Sequence, residues 1–492
     1  MHSNLIPEQV SAKATPKWRR LPTCSGYWKA LIVMFLLTLP FVHGEVDGDG
    51  IGYYAHLRSP LIDHNLAYAT DWKNPHDLGR LWPAMDWKDP HEVDRNLISH
   101  AWENPVRRAG HLPNYFAVGP AILWSPFIVS THIVVLTLSH FGVHVTPDGK
   151  SPPYMFALAV ATAFYGFLGL CISFSIAREF VDERWAFWAT VGIWLGTSLP
   201  VYMYLLTSWS HAPSAFATSL FLWYWLRTRH ARTARQWLIV GMLAGLMIEV
   251  YYLNVVFVLG PLWEAASAYF GLWRDPADRL RRAGRILRLH LLGVVGGLVA
   301  LLPTFIIKEI VFGSPFAAGP YSLGLWNWGA PVFGKVLFSG THGLLVFTPI
   351  VLLAFVGLFY LYRLDRTVGI ICLSAALAFY WLVSSYPGWS SVFGFGNRYF
   401  VSLTPLFVLG LACTLAFAER FFWRDYRRAL LRVAPVILAF VIWNLGLVYQ
   451  WRTHLMPTRS AVYWDEVIYV QFRDVPMLAL HDLVAKFFPQ SN

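Results

Sequence analysis

Long apolar blocks without a single charge recur along the chain and alternate with short polar gaps. Met155 to Ala177, Trp185 to Leu206, Val368 to Tyr386 and Val433 to Trp451 contain no Asp, Glu, Lys or Arg. A helix needs about 20 apolar residues to cross the hydrocarbon core of a bilayer, and these blocks reach that length. The pattern predicts crossings at 28–44, 154–177, 185–206, 211–226, 237–252, 253–271, 289–307, 343–362, 367–385, 399–418 and 433–450, about eleven in all. The stretch 236–271 holds two of them. As one helix it would run about 54 Å at ~1.5 Å per residue, so it must fold back near Glu249 to Asn254. The expected fold class is an all-α polytopic membrane protein.

Composition agrees. Of 492 residues, 56% are hydrophobic and 14% charged, against about 25% charged in a soluble domain. The formal charge of +11 raises the question of a polyanionic partner. Its arginines, however, cluster in gaps between blocks: Arg227, Arg229, Arg232 and Arg235; Arg274, Arg279, Arg281, Arg282, Arg285 and Arg288; and Arg420, Arg424, Arg427, Arg428 and Arg432. Clusters beside span ends follow the positive-inside bias, and no nucleic acid is needed to explain them. Cys171, Cys372 and Cys413 lie in apolar blocks, so the four cysteines form neither a disulfide framework nor a metal pattern.

Orientation follows from the basic tail. Residues 1–27 carry Lys13, Lys17, Arg19 and Arg20 and read as a cytoplasmic tail ahead of a retained first span, since many further spans follow. Residues 28–450 then form one membrane domain, with 45–153 an outer loop containing interfacial elements and 451–492 an extracytoplasmic tail. Counting 113–138 as a crossing would export all three Arg clusters. That segment, broken by Pro113, Pro120 and Pro126, is therefore expected to be a kinked interfacial or re-entrant element on the outer side.

This topology gathers the polar groups on one outer face. After the first span, Glu45 to Tyr54 places Asp47 and Asp49 among glycines, a plausible acid/base pair. It also reads as a solvated loop start or part of a calcium loop, although the bidentate Glu of such a loop is missing. Arg398, in the run Trp389 to Phe400, suits a phosphate or carboxylate through its planar fork, or it snorkels to headgroups. His211 heads a span, and Lys335 and His342 lie in a polar loop on the same side.

In order and topology these features are similar to the GT-C glycosyltransferase superfamily, and most of all to its protein O-mannosyltransferase and aminoarabinose-transferase branch. The features are the acidic pair after the first span, Tyr53 four residues after Asp49, the Pro-broken run His111 to Pro120, and Gly-Asn-Arg-Tyr-Phe ending at Phe400. The likeness covers Trp28 to about Tyr449. It implies a long first outer loop with juxtamembrane helices and an inverting transfer of a sugar from a polyprenyl-phosphate donor, outside the cytoplasm, to a hydroxyl or amine of a glycan, lipid or protein acceptor. An Asp of the first outer loop would be the base: Asp49 by position, with Asp47 as second choice, because Gly50 stands where the branch has Glu. Arg398, Lys335 and His342 become the phosphate-binding candidates, and Tyr53, Arg58 and His211 the substrate-binding ones. No metal or cofactor is implied.

Two other classes share parts of the pattern. A ligase or polymerase would take a lipid-diphosphate donor, and a transporter or flippase would place ionisable groups near the bilayer midplane. Here only Glu249 and Glu264 intrude into apolar stretches. The excess of Arg over Lys accords with a bacterial inner membrane and a periplasmic face. Reporters fused after Arg235 or Arg288 should read cytoplasmic, and those fused near Asn104 or Pro387 external. Opposite readings at Asn104 and Pro387 would dissolve the shared face.

Overall fold

The computed structural model describes residues 25–66, 68, 114–229, 232–274, 278–318, 321–390, 394–458 and 460–487. The basic tail, the segment 69–113 and the last residues, 488–492, lie outside the described residues, as do Pro113 and the start of the His111 run. The described residues contain helices and turns but no strand.

In chain order the main helices are α1 (Gly26–Thr38), α2 (Asp49–Arg58), α3 (Gly119–His140), α4 (Pro152–Ala177), α5 (Glu183–Gly196), α6 (His211–Thr228), α7 (Ala234–Val250) and α8 (Leu259–Arg274). They continue with α9 (Arg279–Phe312), α10 (Ile350–Leu364), α11 (Arg366–Ser385), α12 (Thr404–Ala418), α13 (Tyr426–Arg452), α14 (Trp464–Arg473) and α15 (Val475–Phe487). Among the described residues, seven segments are apolar and long enough to cross a membrane.

Contacts distinguish the two ends of this bundle. At one, Arg229 pairs with Asp365 at 2.6 Å, Arg232 with Glu264, and Trp185 Nε1 donates to Glu419. All three Arg clusters border this basic end. Helices start there on capping side chains: Asp182, Asp365 and Asp425 accept from the N–H groups of Arg184, Val368 and Arg428, and Thr233 and Gln236 close a capping box on α7. Such caps satisfy N–H groups that a helix leaves open. At the other end, His43 N–H donates to Tyr204 O and the Thr207 hydroxyl to His43 O. By length and composition α1, with its extension to Phe41, and α10 are shorter apolar helices beside those seven.

The fold-back falls where expected. Tyr251 is extended, at φ −159° and ψ 116°, and a 3-10 turn, Tyr252–Val258, leads into α8. Asn254 donates to Met247 O at 2.9 Å, occupying an end carbonyl of α7.

Two segments differ from expectation. Residues 119–140 form one unbroken helix, so the prolines do not break it. Pro120 stands in the first turn, where no N–H is missed, and Pro126 is carried inside. By length and composition α3 could cross a membrane, and its contacts run along α7 and α4. Gly119 lies against the Glu249–Val250 backbone, Trp124 donates to Thr162, and His132 reaches Tyr154 near the start of α4. The second segment is α9, which spans 34 residues where 289–307 was predicted. It carries Lys308 beyond the expected span end.

Close backbone approach holds the passes together. A Cβ on Gly357 would fall 1.7 Å from Gly410 O, and one on Gly241 would fall 1.8 Å from Gly293 O. Small residues let membrane helices touch in this way. Gly357→Val should therefore force α10 and α12 apart at a cost of about 3 kcal/mol, seen as a lower melting temperature in detergent. Gly284→Ala, whose Cβ meets open space, should be neutral or stabilise by about 0.5 kcal/mol.

Candidate active site

The glycines around Asp49 set the position of α2. Gly48, at φ +51°, turns the chain into the helix in a conformation that side chains rarely adopt. Gly50 and Gly52 are helical, and their role is contact: a Cβ on either would lie 2.0 Å from Ser208 Oγ or the Phe116 ring. Asp49 and Tyr53, one turn apart, share the face that lines a cavity. Arg58 is on the opposite side of α2, pairing with Asp63 at 2.9 Å and donating to Asp148 O at 2.9 Å.

Arg398 arrives from the far end of the sequence on a 3-10 turn, Arg398–Leu403. Ser402 anchors that turn to α6, through Ser214 at 2.7 Å and through its carbonyl to the Thr218 hydroxyl at 2.9 Å. Just upstream, the Tyr202 hydroxyl donates to Phe395 O and accepts from Phe395 N–H. Gly394, at φ +100°, makes that loop possible. The guanidinium lies 4.4 Å over the Trp209 ring and pairs with Asp49 Oδ2 at 2.8 Å. Both side chains are largely buried, at 10% and 20% exposed for Arg398 and Asp49.

The cavity measures about 310 Å³. Asp49, Tyr53, His211, Arg398 and Lys308 supply its polar groups, Tyr251, Tyr321, Tyr386, Tyr399 and Trp326 its aromatic wall, and Leu253, Val255, Leu323 and Leu382 an apolar side. Burial, and then the Asp49 carboxylate, raises the Tyr53 phenol well above its ordinary pKa, so Tyr53 stays a donor.

Of the residues singled out from sequence, the structure brings Asp49, Tyr53, His211 and Arg398 together. Asp47 is adjacent but off the cavity wall, its carbonyl and carboxylate accepting from Trp209 Nε1 at 3.1 and 3.3 Å. His342 is buried behind Arg398 with Nε2 3.3 Å from Gly394 O, and burial pushes its pKa down to about 4, so it is neutral. Lys335 is exposed on a short helix, Phe333–Phe338, away from the wall. Lys308 and the tyrosines were not singled out. Lys308 is the one lysine in an otherwise apolar stretch from Leu289 to Ile307 and just beyond, and a longer helix was the signal needed to place it.

No family model matches the sequence, and no curated protein matches it. Among solved structures, the archaeal oligosaccharyltransferase AglB from Archaeoglobus fulgidus, in complex with an inhibitory peptide and a dolichol-phosphate, is similar with a TM-score of 0.43 and 13% identity. The alignment covers 94% of this chain and 55% of that one. The apo form of the Archaeoglobus fulgidus oligosaccharyltransferase gives 0.41 and 13% over the same shares. This chain thus spans about half the length of either structure. Likeness at that level assigns no residue a role.

Losing one partner of the buried pair should cost more than losing both. Arg398→Met strands the Asp49 carboxylate, a loss on the order of 3 kcal/mol, and adding Asp49→Asn should restore much of the melting temperature. Equal losses in the single and double variants would mean that the pair adds no stability.

Proposed function

We propose that this chain is an inverting glycosyltransferase that moves a sugar from a polyprenyl-phosphate donor to an acceptor hydroxyl or amine at the extracytoplasmic face, in a bacterial inner membrane. The observation that carries the reading is the Asp49–Arg398 contact on the wall of a cavity at the outer end of the bundle. It joins the two motifs on which the sequence resemblance rests. A carboxylate beside an anion-binding fork is what glycosyl transfer from a phosphate requires.

In this mechanism the donor phosphate docks on Arg398, whose guanidinium has N–H groups beyond those facing Asp49. The acceptor oxygen attacks the anomeric carbon from the face opposite the phosphate. The C1–O bond to phosphate breaks, its electron pair leaves with polyprenyl phosphate, and the acceptor proton passes to Asp49. Arg398 stabilises the charge growing on the leaving phosphate. Tyr53, a turn away from Asp49, donates a hydrogen bond in the same cavity. The apolar side at Leu253, Val255, Leu323 and Leu382 suits the first isoprene units. The acceptor is a glycan, lipid or protein.

Asp49→Asn keeps size and hydrogen bonding while removing the base. General-base assistance is worth about 10² to 10⁴ in rate, so turnover of a polyprenyl-phosphate sugar should fall by that order in membranes with matched protein levels. Asp47→Asn should do less, since Asp47 faces Trp209. The reverse ranking would move the base to Asp47, and normal turnover in both would remove α2 from the mechanism.

A further inference from the structure

We infer that the cavity accepts a neutral sugar, with His211 bonding its hydroxyls, and excludes a sugar bearing a free amine. This rests on the lipid-phosphate-sugar reading above and narrows it to a substrate class.

The first argument is the inventory of charged groups on the wall. Among the described lining residues, two cations, Arg398 and Lys308, face one carboxylate, Asp49. That carboxylate is already engaged, 2.8 Å from Arg398. Glu249, the carboxylate behind Lys308, is sealed off the wall: Thr304 donates to its two oxygens through its N–H at 2.9 Å and its hydroxyl at 2.5 Å. An ammonium on the sugar would be a third cation, and the one wall carboxylate it could meet, Asp49, is the base the transfer needs for the acceptor proton; a buried charge left unpaired is costly. Nor are the ring faces all open to it. The Lys308 ammonium lies 5.2 Å over Tyr252, and Arg398 lies over Trp209 and Tyr399. Two of the wall rings that could attract an amine, Tyr252 and Tyr399, thus already carry a cation of the protein.

The second argument is a polar group waiting for a partner. His211 is 2% exposed, lines the cavity, and its Nδ1 has no hydrogen-bond partner among the described residues. Its ring packs edge-on against Tyr202 at 4.7 Å and Tyr251 at 5.4 Å. Trp326 Nε1, on the same wall, is likewise unpaired. Unpaired buried polar groups destabilise the empty protein and favour a ligand that satisfies them. A ring presenting several hydroxyls to flat aromatic walls meets both needs.

The test is equilibrium binding to the purified full-length chain in nanodiscs, with three probes: bare decaprenyl phosphate, decaprenyl phosphate carrying a neutral hexose, and the same lipid carrying a hexose with a free 2-amine. The neutral glycolipid should bind at least about tenfold more tightly than the amino form, the worth of one net hydrogen bond. In His211→Phe its advantage over the bare lipid should shrink by a similar factor. Trp326→Phe, at a half-buried position, gives a second reading of that advantage should His211→Phe fail to fold. Equal or tighter binding of the amino form overturns the inference, as does an unchanged advantage in the variants, while the lipid-phosphate reading survives. Failure of all three lipids to bind a folded, monodisperse protein overturns that underlying reading, and the inference with it.

Discussion

The ion pair between Asp49 and Arg398 is the contact on which the end of the bundle opposite the Arg clusters depends, because neither charge is tolerable there alone. Each side chain is mostly removed from water, and an unpartnered charge in that position is expensive. Helix α2 and the turn before α12 must therefore arrive together. Much of the local architecture serves that meeting. Glycines let α2 settle on Ser208 and Phe116, the Tyr202 hydroxyl clamps both backbone groups of Phe395, and Ser402 locks the Arg398 turn onto α6. Trp209 serves both partners, since its ring supports the guanidinium while its Nε1 binds Asp47.

The same pair constrains the chemistry. On the proposed reading, base and phosphate clamp neutralise each other while no donor is bound, which keeps the outer end stable. An arriving phosphate then shares the guanidinium and draws positive charge away from Asp49. The carboxylate is thereby released toward the acceptor when a donor is in place. Lys308 stands apart from this exchange. It reaches the cavity from α9, over the Tyr252 ring, so phosphate drawn between Arg398 and Lys308 would be held from two helices that are remote in sequence.

Much of the scaffold was legible in the sequence, because a bilayer demands long uncharged helices and places basic residues on one side. The length of 236–271 demanded the turn that Tyr251 makes. What stayed hidden depended on depth and side-chain direction. Prolines in residues 113–138 suggested a break, yet Pro in a first turn costs a helix nothing, and α3 runs unbroken from Gly119 to His140 beside α4. The hydropathy pattern ended the crossing within α9 at Ile307, whereas the helix continues to Phe312. Hydropathy marks the part of a helix that lies in lipid, not where its hydrogen bonding stops. Lys308 therefore read as a loop residue. The tyrosine wall was likewise invisible, since Tyr251, Tyr321, Tyr386 and Tyr399 come from four separate segments.

Helix geometry separates the candidates of the first outer segment more sharply than motif matching does. Successive helical residues rotate by about 100°, so Tyr53 lies about 40° from Asp49 while Arg58, nine residues on, lies about 180° away. If Asp49 faces the cavity, Tyr53 joins it and Arg58 cannot. That is the observed arrangement, with Arg58 bound to Asp63 and Asp148 instead. Asp47 falls outside this rotation because Gly48, at φ +51°, interrupts the helical path before Asp49 begins it. The two acids are two residues apart in sequence but sit in different backbone frames. One starts a helix whose face is the cavity wall, and the other ends a strap tied to Trp209. Sequence alone ranked Asp49 above Asp47 by position in a motif. The physical ground is that only the helical acid shares a face with a second cavity residue and stands within reach of Arg398.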